Sequence, residues 1–350
     1  MTYRFKLKKS WIVLLVLVVL SICGCATQTP VTTDQPEEVL EETPTTQIED
    51  KTAVPTSTQA IPVILLIIDP EADPFLVEQT QSALEMLIAD GEQTLVRDTG
   101  IPPEQDMNNV EIVVGVGPEL GLASLAASAP QTYFVSIGDP VVEPSPNMSV
   151  IGDPLIDQRY QSFLAGYLAA LVSSDYKVAG LVPSEGDLSS IMLDAFRIGT
   201  RFYCGICKPL YPPYNSFPQS ESLPVENSSD GFQPVVDALA ANSVEVLYLQ
   251  GELQSQQILT YLADAGIMVV SDQSPDVIRN NWVGTVVVDP GPALVTLWPD
   301  LIEGAEGVRK ASSIALIDTE TGLLTEGRRH VFDQMLADLQ AGLVLPQSVP

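Results

Sequence analysis

From residue 61 onward, short apolar runs alternate with amphipathic stretches of helical period, and this alternation limits the possible fold more than any other property of the chain. Residues 62–68 read Pro-Val-Ile-Leu-Leu-Ile-Ile, the length and composition of a strand covered on both faces. Residues 74–89 follow, with Leu76, Thr80, Ala83, Leu84, Leu87 and Ile88 recurring on one helical face. Further strands are expected near 93–96, 111–115, 132–137 and 148–151. The pattern then begins again: helix 157–173, strand 177–182, helix 188–202, strand 206–211, helix 232–241 and strand 245–249. It closes with helix 255–265, strands 267–271 and 283–288, helix 292–303, strand 313–317 and helix 326–341. Strands separated by helices of ten or more residues predict right-handed βαβ units and parallel sheets, an α/β fold. Some 290 residues holding two such sheets predict two Rossmann-like lobes.

The N-terminus bears on compartment. Arg4, Lys6, Lys8 and Lys9 precede an apolar run at 11–22, too short to cross about 30 Å of hydrocarbon at about 1.5 Å per residue. That is the plan of an export signal rather than of a permanent anchor. Behind it stands Ile22-Cys23-Gly24-Cys25, which resembles the lipobox of bacterial lipoproteins. Gly24 is the small residue a signal peptidase accepts, whereas Cys23 follows the bulky, β-branched Ile22, so Cys25 is the expected lipidation site. Residues 1–24 are read as the signal peptide and 25–60 as a tether rich in Thr, Pro, Gln and Glu. The tether has no aromatic residue and too little apolar surface to fold.

Charge excludes some partners. The chain carries −29, and removal of residues 1–24 leaves 12 Lys and Arg against 45 Asp and Glu, a balance of −33. Such a body does not bind nucleic acid by charge, nor anionic lipid through a basic patch. The acyl chains on Cys25 are then the expected attachment, holding a monomer on the outer face of a bacterial cell membrane.

Cys204 and Cys207 are the only other cysteines. Their C-x-x-C spacing matches redox sites of the thioredoxin type, but those place the motif after a strand and at the start of a helix. Here a helical pattern precedes it, which favours a structural disulfide, and two thiols leave a zinc site short of ligands. His330, the single histidine, sits beside Arg328 and Arg329 on a solvated helix face, so histidine-based triads and multi-histidine metal centres are excluded. Gly115-Val116-Gly117 lacks the third glycine of a dinucleotide fingerprint, and Pro118 follows it. No cofactor and no metal are expected. Asp73, Asp187 and Asp272 offer a carboxylate pair for a hydrolase, a weak signal in a chain with 45 acids.

Ligands in open α/β sheets sit beyond the carboxyl ends of the strands. The segments there are 69–75 (Asp69, Asp73, Phe75), 115–118 (Gly117), 138–140, 184–187 (Asp187), 250–252 (Gly251) and 271–274 (Asp272). Phe75, Tyr214, Phe217 and Trp282 are available to stack on a flat ligand.

Three segments carry a family resemblance: Asp157-Gln158-Arg159-Tyr160-Gln161-Ser162-Phe163-Leu164-Ala165-Gly166-Tyr167-Leu168-Ala169-Ala170-Leu171, then Lys177-Val178-Ala179-Gly180-Leu181-Val182, then Ala195-Phe196-Arg197-Ile198-Gly199. With Tyr214, Ser216-Phe217, Ser271-Asp272-Gln273 and Gly284-Thr285-Val286-Val287 after them, the chain resembles the basic membrane protein (Bmp) family of substrate-binding lipoproteins. The resemblance implies the type I periplasmic-binding-protein architecture, two α/β lobes joined by three crossovers. The lobes would be 61–153 plus 288–306 and 154–287 plus 307–350. It implies no enzymatic activity but capture of a small solute for an ABC transporter permease, and its characterised members bind purine nucleosides. Carried over, Phe75 becomes the stacking ring and Asp272 the acid of the Asp-Gln strand end; the strand-end loops add Asp69, Asp73, Gly117, Asp187 and Gly251, and the Ser216-Phe217 loop adds Phe217, to the expected ligand-binding set. The sequence departs from the family at Leu76, where an Asn is usual, and at Val288, where a Lys is usual, and both changes remove donors for a sugar. The other readings the residues leave open are a sensor or surface lipoprotein with a protein partner, and a divergent carboxylate hydrolase.

Overall fold

Aliphatic and β-branched runs form strands where helices cover both faces, and the chain builds that arrangement twice. The computed structural model describes residues 63–346 except 90–92, 100–106, 108, 119 and 187. The signal, Cys25 and the tether lie outside the described residues, as does Asp187. The first lobe opens with β1 (Val63–Ile68), α1 (Pro74–Leu87), β2 (Thr94–Asp98), β3 (Val110–Val116), α2 (Leu122–Ser128), β4 (Tyr133–Ile137) and β5 (Met148–Ile151). The second holds α3 (Pro154–Val172), β6 (Val178–Pro183), α4 (Ser189–Cys204), β7 (Gln219–Leu223), α5 (Gln233–Ala241), β8 (Val246–Leu249), α6 (Gln256–Asp264), β9 (Met268–Ser271) and β10 (Trp282–Asp289). The chain then returns to the first lobe for α7 (Gly291–Ile302) and β11 (Arg309–Lys310), and ends in the second with β12 (Ser313–Ile317) and α8 (Glu326–Gln340).

Among the described residues there are two six-stranded sheets, ordered β11-β5-β4-β3-β1-β2 and β12-β10-β9-β8-β6-β7. Every pairing is parallel except β10 with β12. The chain passes between the sheets three times, after β5, after β10 and after β11. The expected boundaries at 288 and 306 move accordingly. β10 stays in the second sheet through Asp289, and the first lobe continues to Lys310 because β11 pairs with β5.

α7 shows that the return is a packing event. Its Leu294, Leu297, Trp298 and Leu301 join Ile64, Leu66 and Val114 in one first-lobe core. The centre of the second lobe is α3, apolar nearly all round as a buried helix must be, with Phe163, Leu164 and Leu168 fully buried. Each such side chain contributes about 1.5–3 kcal/mol when removed from water. α3 and α4 approach closely through glycines: a Cβ on Gly166 would lie 2.2 Å from the Phe196 carbonyl, and one on Gly199 would lie 1.8 Å from that of Phe163. Thr200 spans the same contact, its hydroxyl donating to Gly166 O at 3.2 Å.

The strand expected at 206–211 is absent. Pro209 removes a ladder donor from this segment, Pro212 and Pro213 remove two more just after it, and the N–H groups of Leu210 and Tyr211 donate instead to the buried carboxylate of Asp175. Lys177 completes the anchor with Nζ 2.9 Å from Asp175 Oδ2 and 3.2 Å from Pro212 O. Cys204 and Cys207 are joined in a disulfide just before it, with Cα atoms 4.9 Å apart. The strand that pairs with β6 is β7, Gln-Ser-Glu-Ser-Leu, whose polar composition suits the edge of a sheet.

Candidate functional site

Parallel strands send all their carboxyl-end loops to one end of a sheet, and the three crossovers set the two loop clusters across a cleft. Its main cavity is about 470 Å³. From the first lobe it is lined by Glu71 and Asp73 after β1, Gly117 after β3 and Gly138 after β4. From the second lobe come Gln158 and Gln161 of α3, Gly251 and Glu252 after β8, and Asp272 after β9. Two cavities adjoin it, one of about 200 Å³ reaching Asp157, Gly152 and Ser312 by the crossovers, and one of about 240 Å³ along Glu185 and Met192. Gln158 lines all three.

Local structure fixes each group. Asp73 caps α1, its Oδ1 accepting from Phe75 N at 2.8 Å with Pro74 in the first turn. Asp69 makes the turn before it, accepting from Glu71 N at 2.8 Å. Gly117 has φ of 127°, and a Cβ there would meet Asp69 Cβ at 2.2 Å, so the first-lobe loop closes only with glycine. Asp153 caps α3, accepting from Leu155 N and Ile156 N at 3.1 Å, which starts the helix at the crossover and brings Asp157, Gln158 and Gln161 to the cleft. Gln161 Nε2 donates to Val286 O at 3.0 Å.

Asp272 is held from two sides. Tyr248 Oη donates to its Oδ2 at 2.8 Å and Gly251 N to its Oδ1 at 2.7 Å, while Ser162 Oγ lies 3.3 Å from the Tyr248 hydroxyl. A Cβ on Gly251 would lie 2.6 Å from Gln273 Cβ and 3.2 Å from Asp272 Oδ1, so a side chain there would push this loop apart. Gln254 braces the loop from behind, its Nε2 donating to Ser271 Oγ at 2.7 Å and Gln273 O at 2.6 Å.

Burial pushes the Asp272 carboxyl up to about 6; the Tyr248 and Gly251 hydrogen bonds oppose that rise, and the charge of Asp73 across the cleft adds to it. Burial likewise pushes Asp157 up to about 6, against the hydrogen bond from Asp153 N and with the Asp153 charge. Tyr248 is raised well above its ordinary range by burial and then by the Asp272 charge, so its hydroxyl remains a donor. Six carboxylates line the three cavities, and among the described lining residues there is no lysine, arginine, histidine or aromatic side chain. Arg309, whose charge reaches Asp157, is committed to Gly152 O, Val142 O and Glu143.

Of the expected ligand-binding residues, Asp73, Gly117, Gly251 and Asp272 line the main cavity. Asp69 supports the turn beneath it. Phe75 is not a lining residue: Leu76 is, and neighbours on a helix point about 100° apart. Phe217 corrects the sequence reading more sharply, since it is buried in the second-lobe core with Cys207, Leu223 and Leu247. Trp282 is buried in the same cluster with its indole N–H on Thr285 Oγ1 at 3.1 Å, and Tyr214 is exposed before β7, at the end of the sheet away from the cleft. Sequence reasoning missed Gln158, Gln161, Glu252 and Glu71. Gln158 and Gln161 stand three apart in the polar first half of a helix whose second half, from Phe163 on, is apolar.

No protein-family model matches the chain, and no curated protein does. Solved structures do. A solute-binding protein of an ABC transporter system from Conexibacter woesei superposes with a TM-score of 0.59 at 16% identity, over 81% of this chain and 98% of that one. A transcriptional activator of the comK gene from Bacillus halodurans gives 0.55 at 14% identity over 81% and 100%. A solute-binding protein of an ABC transporter system from Aeropyrum pernix K1 gives 0.53 at 13% over 82% and 94%. The fold is that of the type I periplasmic-binding proteins. In that type I fold the cleft described above is the space between the two lobes, and the chain crosses from one lobe to the other beside Gly152, Pro290 and Ala311.

Proposed function

We propose that the protein is a solute receptor that closes its two lobes on a small molecule, does no chemistry on it, and delivers it to an ABC transporter permease. The observation that carries the reading is the cavity of about 470 Å³ lined by strand-end loops of both lobes, a volume suited to a small-molecule ligand. Export, lipidation at Cys25 and a tether over 25–60 complete the proposal, and they rest on the sequence. A tether of that kind keeps the receptor at high effective concentration beside a membrane partner. The resemblance to the basic membrane protein family favours a nucleoside. The cleft, with no aromatic side chain among its described lining residues and with Leu76 and Val288 where the family has donors, favours another solute.

The test is a thermal-shift screen of the full chain without its signal, against sugars, amino acids, amines and nucleosides, with small-angle scattering on any hit. A receptor gains several degrees in Tm and becomes more compact with ligand. If no class stabilises the protein at millimolar concentration, the solute-receptor reading fails.

A further inference from the structure

We propose that the cleft selects a positively charged, non-aromatic solute, an organic amine whose ammonium group sits between Asp73 of the first lobe and Asp272 of the second; this rests on the solute-receptor reading above. Three separate observations point to it.

The first is what the cleft lacks. Six carboxylates meet the cavities with no basic side chain among the described lining residues, so a phosphorylated or carboxylate solute would meet like charge wherever it docked. With no ring in the lining, a nucleobase or other flat ligand has nothing to stack on. The second is an orphan acceptor. Gln158 Oε1 is buried without a hydrogen-bond partner, on the residue where the three cavities meet. A buried acceptor left unpaired is costly, and an ammonium, which only donates, would satisfy it.

The third concerns closure. Asp73 and Asp272 belong to opposite lobes, and the charge of one raises the proton affinity of the other. Bringing the lobes together without a cation sharpens that repulsion, whereas an ammonium between them turns it into attraction to both. Charge on the solute therefore couples directly to closure. Asp272 is prepared for the role: Tyr248 Oη donates to its Oδ2 and Gly251 N to its Oδ1, which fixes the carboxylate where it lines the main cavity.

The experiment is isothermal titration of the full chain without its signal, at pH 7.5 and low salt. The probes are spermidine, arginine and lysine, with ribose, adenosine, glutamate and inorganic phosphate alongside. At least one amine is expected to bind, at least tenfold more weakly at 0.5 M NaCl, and glutamate and phosphate are expected not to bind. Asp272→Asn should weaken the amine at least tenfold without lowering Tm. Asp333→Asn, on the exposed face of α8, should leave binding unchanged. Binding of ribose or adenosine with no binding of amines overturns the charge proposal while the solute-receptor reading stands; binding of no probe overturns the charge proposal and, with an empty thermal-shift screen, the receptor reading too. Amine binding unaltered in both Asp272→Asn and Asp73→Asn would mean adventitious attraction to an acidic surface, and also overturns the proposal.

Discussion

The two walls of the cleft are made of the same kind of loop but are held very differently. On the second-lobe wall, Asp272 is tied to Tyr248 and Gly251, and Gln254 ties the loop back to Ser271 and Gln273. Behind it α3 and α4 meet backbone to backbone through Gly166 and Gly199. On the first-lobe wall, Asp73 is exposed and one of its oxygens is already used to cap α1. One wall is therefore held by a network of hydrogen bonds, and the other presents an exposed carboxylate with one oxygen on a helix cap. Preorganised hydrogen-bonded groups give the larger share of binding energy because little ordering remains to be done.

The largest expected effect lies in the scaffold of the second-lobe wall. Gly199→Leu would drive a side chain into the Phe163 carbonyl, and should destabilise the protein by more than about 3 kcal/mol in urea unfolding. A loss under about 1 kcal/mol would show that the helices are free to move apart. Next comes Asp272→Asn, expected to cost about 10–100-fold in solute affinity, the value of a hydrogen bond to a charged group. Tyr248→Phe removes a donor to Asp272 and should cost about 3–10-fold. It should also move the pH midpoint of binding upward, because that hydrogen bond holds the Asp272 carboxyl down. Asp73→Asn should cost the least, about threefold, since asparagine still caps the helix and the charge is solvent-screened. Equal losses at Asp73 and Asp272 would break the distinction between the walls.

Much of this was legible in the sequence, for identifiable reasons. β12 was read to the residue and β1 nearly so, because short aliphatic runs between turn signals have few other structures open to them. β7 and β11 were missed: one is polar because it is an edge strand, the other is two residues long and exists only through β5. The misread strand at 206–211 had the right apolar content, but its backbone donors are claimed by Asp175, thirty-five positions away from Leu210. The cleft residues Asp73, Gly117, Gly251 and Asp272 were found through the rule that strand ends carry sites. The aromatics were not, because a ring near a strand end can face either the cleft or the core, and periodicity does not say which. Phe217 and Trp282 face the core.

The smallest effect concerns pH. Asp157 and Asp272 have carboxyls at about 6 in the folded chain against the ordinary 3.8, so the fold prefers them protonated. The stability they contribute is fully present below about pH 4 and is lost as pH rises through 6. Asp272 faces Tyr248, the Gly251 N–H and Asp73, and Asp157 faces Asp153, Ser312 and Arg309. Between pH 7 and pH 5 the ligand-free protein should therefore gain Tm relative to a variant carrying Asp157→Asn and Asp272→Asn. Affinity for an amine should fall over the same range. A difference that stays flat from pH 7 to pH 5 would mean that neither carboxyl is desolvated in solution.

The central claim is that the acidic cleft between the lobes seats a cationic solute, and a crystal structure of the chain grown with spermidine tests it most directly. The account predicts closed lobes, with an ammonium nitrogen within hydrogen-bond distance of the Asp73 and Asp272 carboxylates and a donor on Gln158 Oε1. An amine found only on the outer surface, with the cleft open and empty, would contradict it.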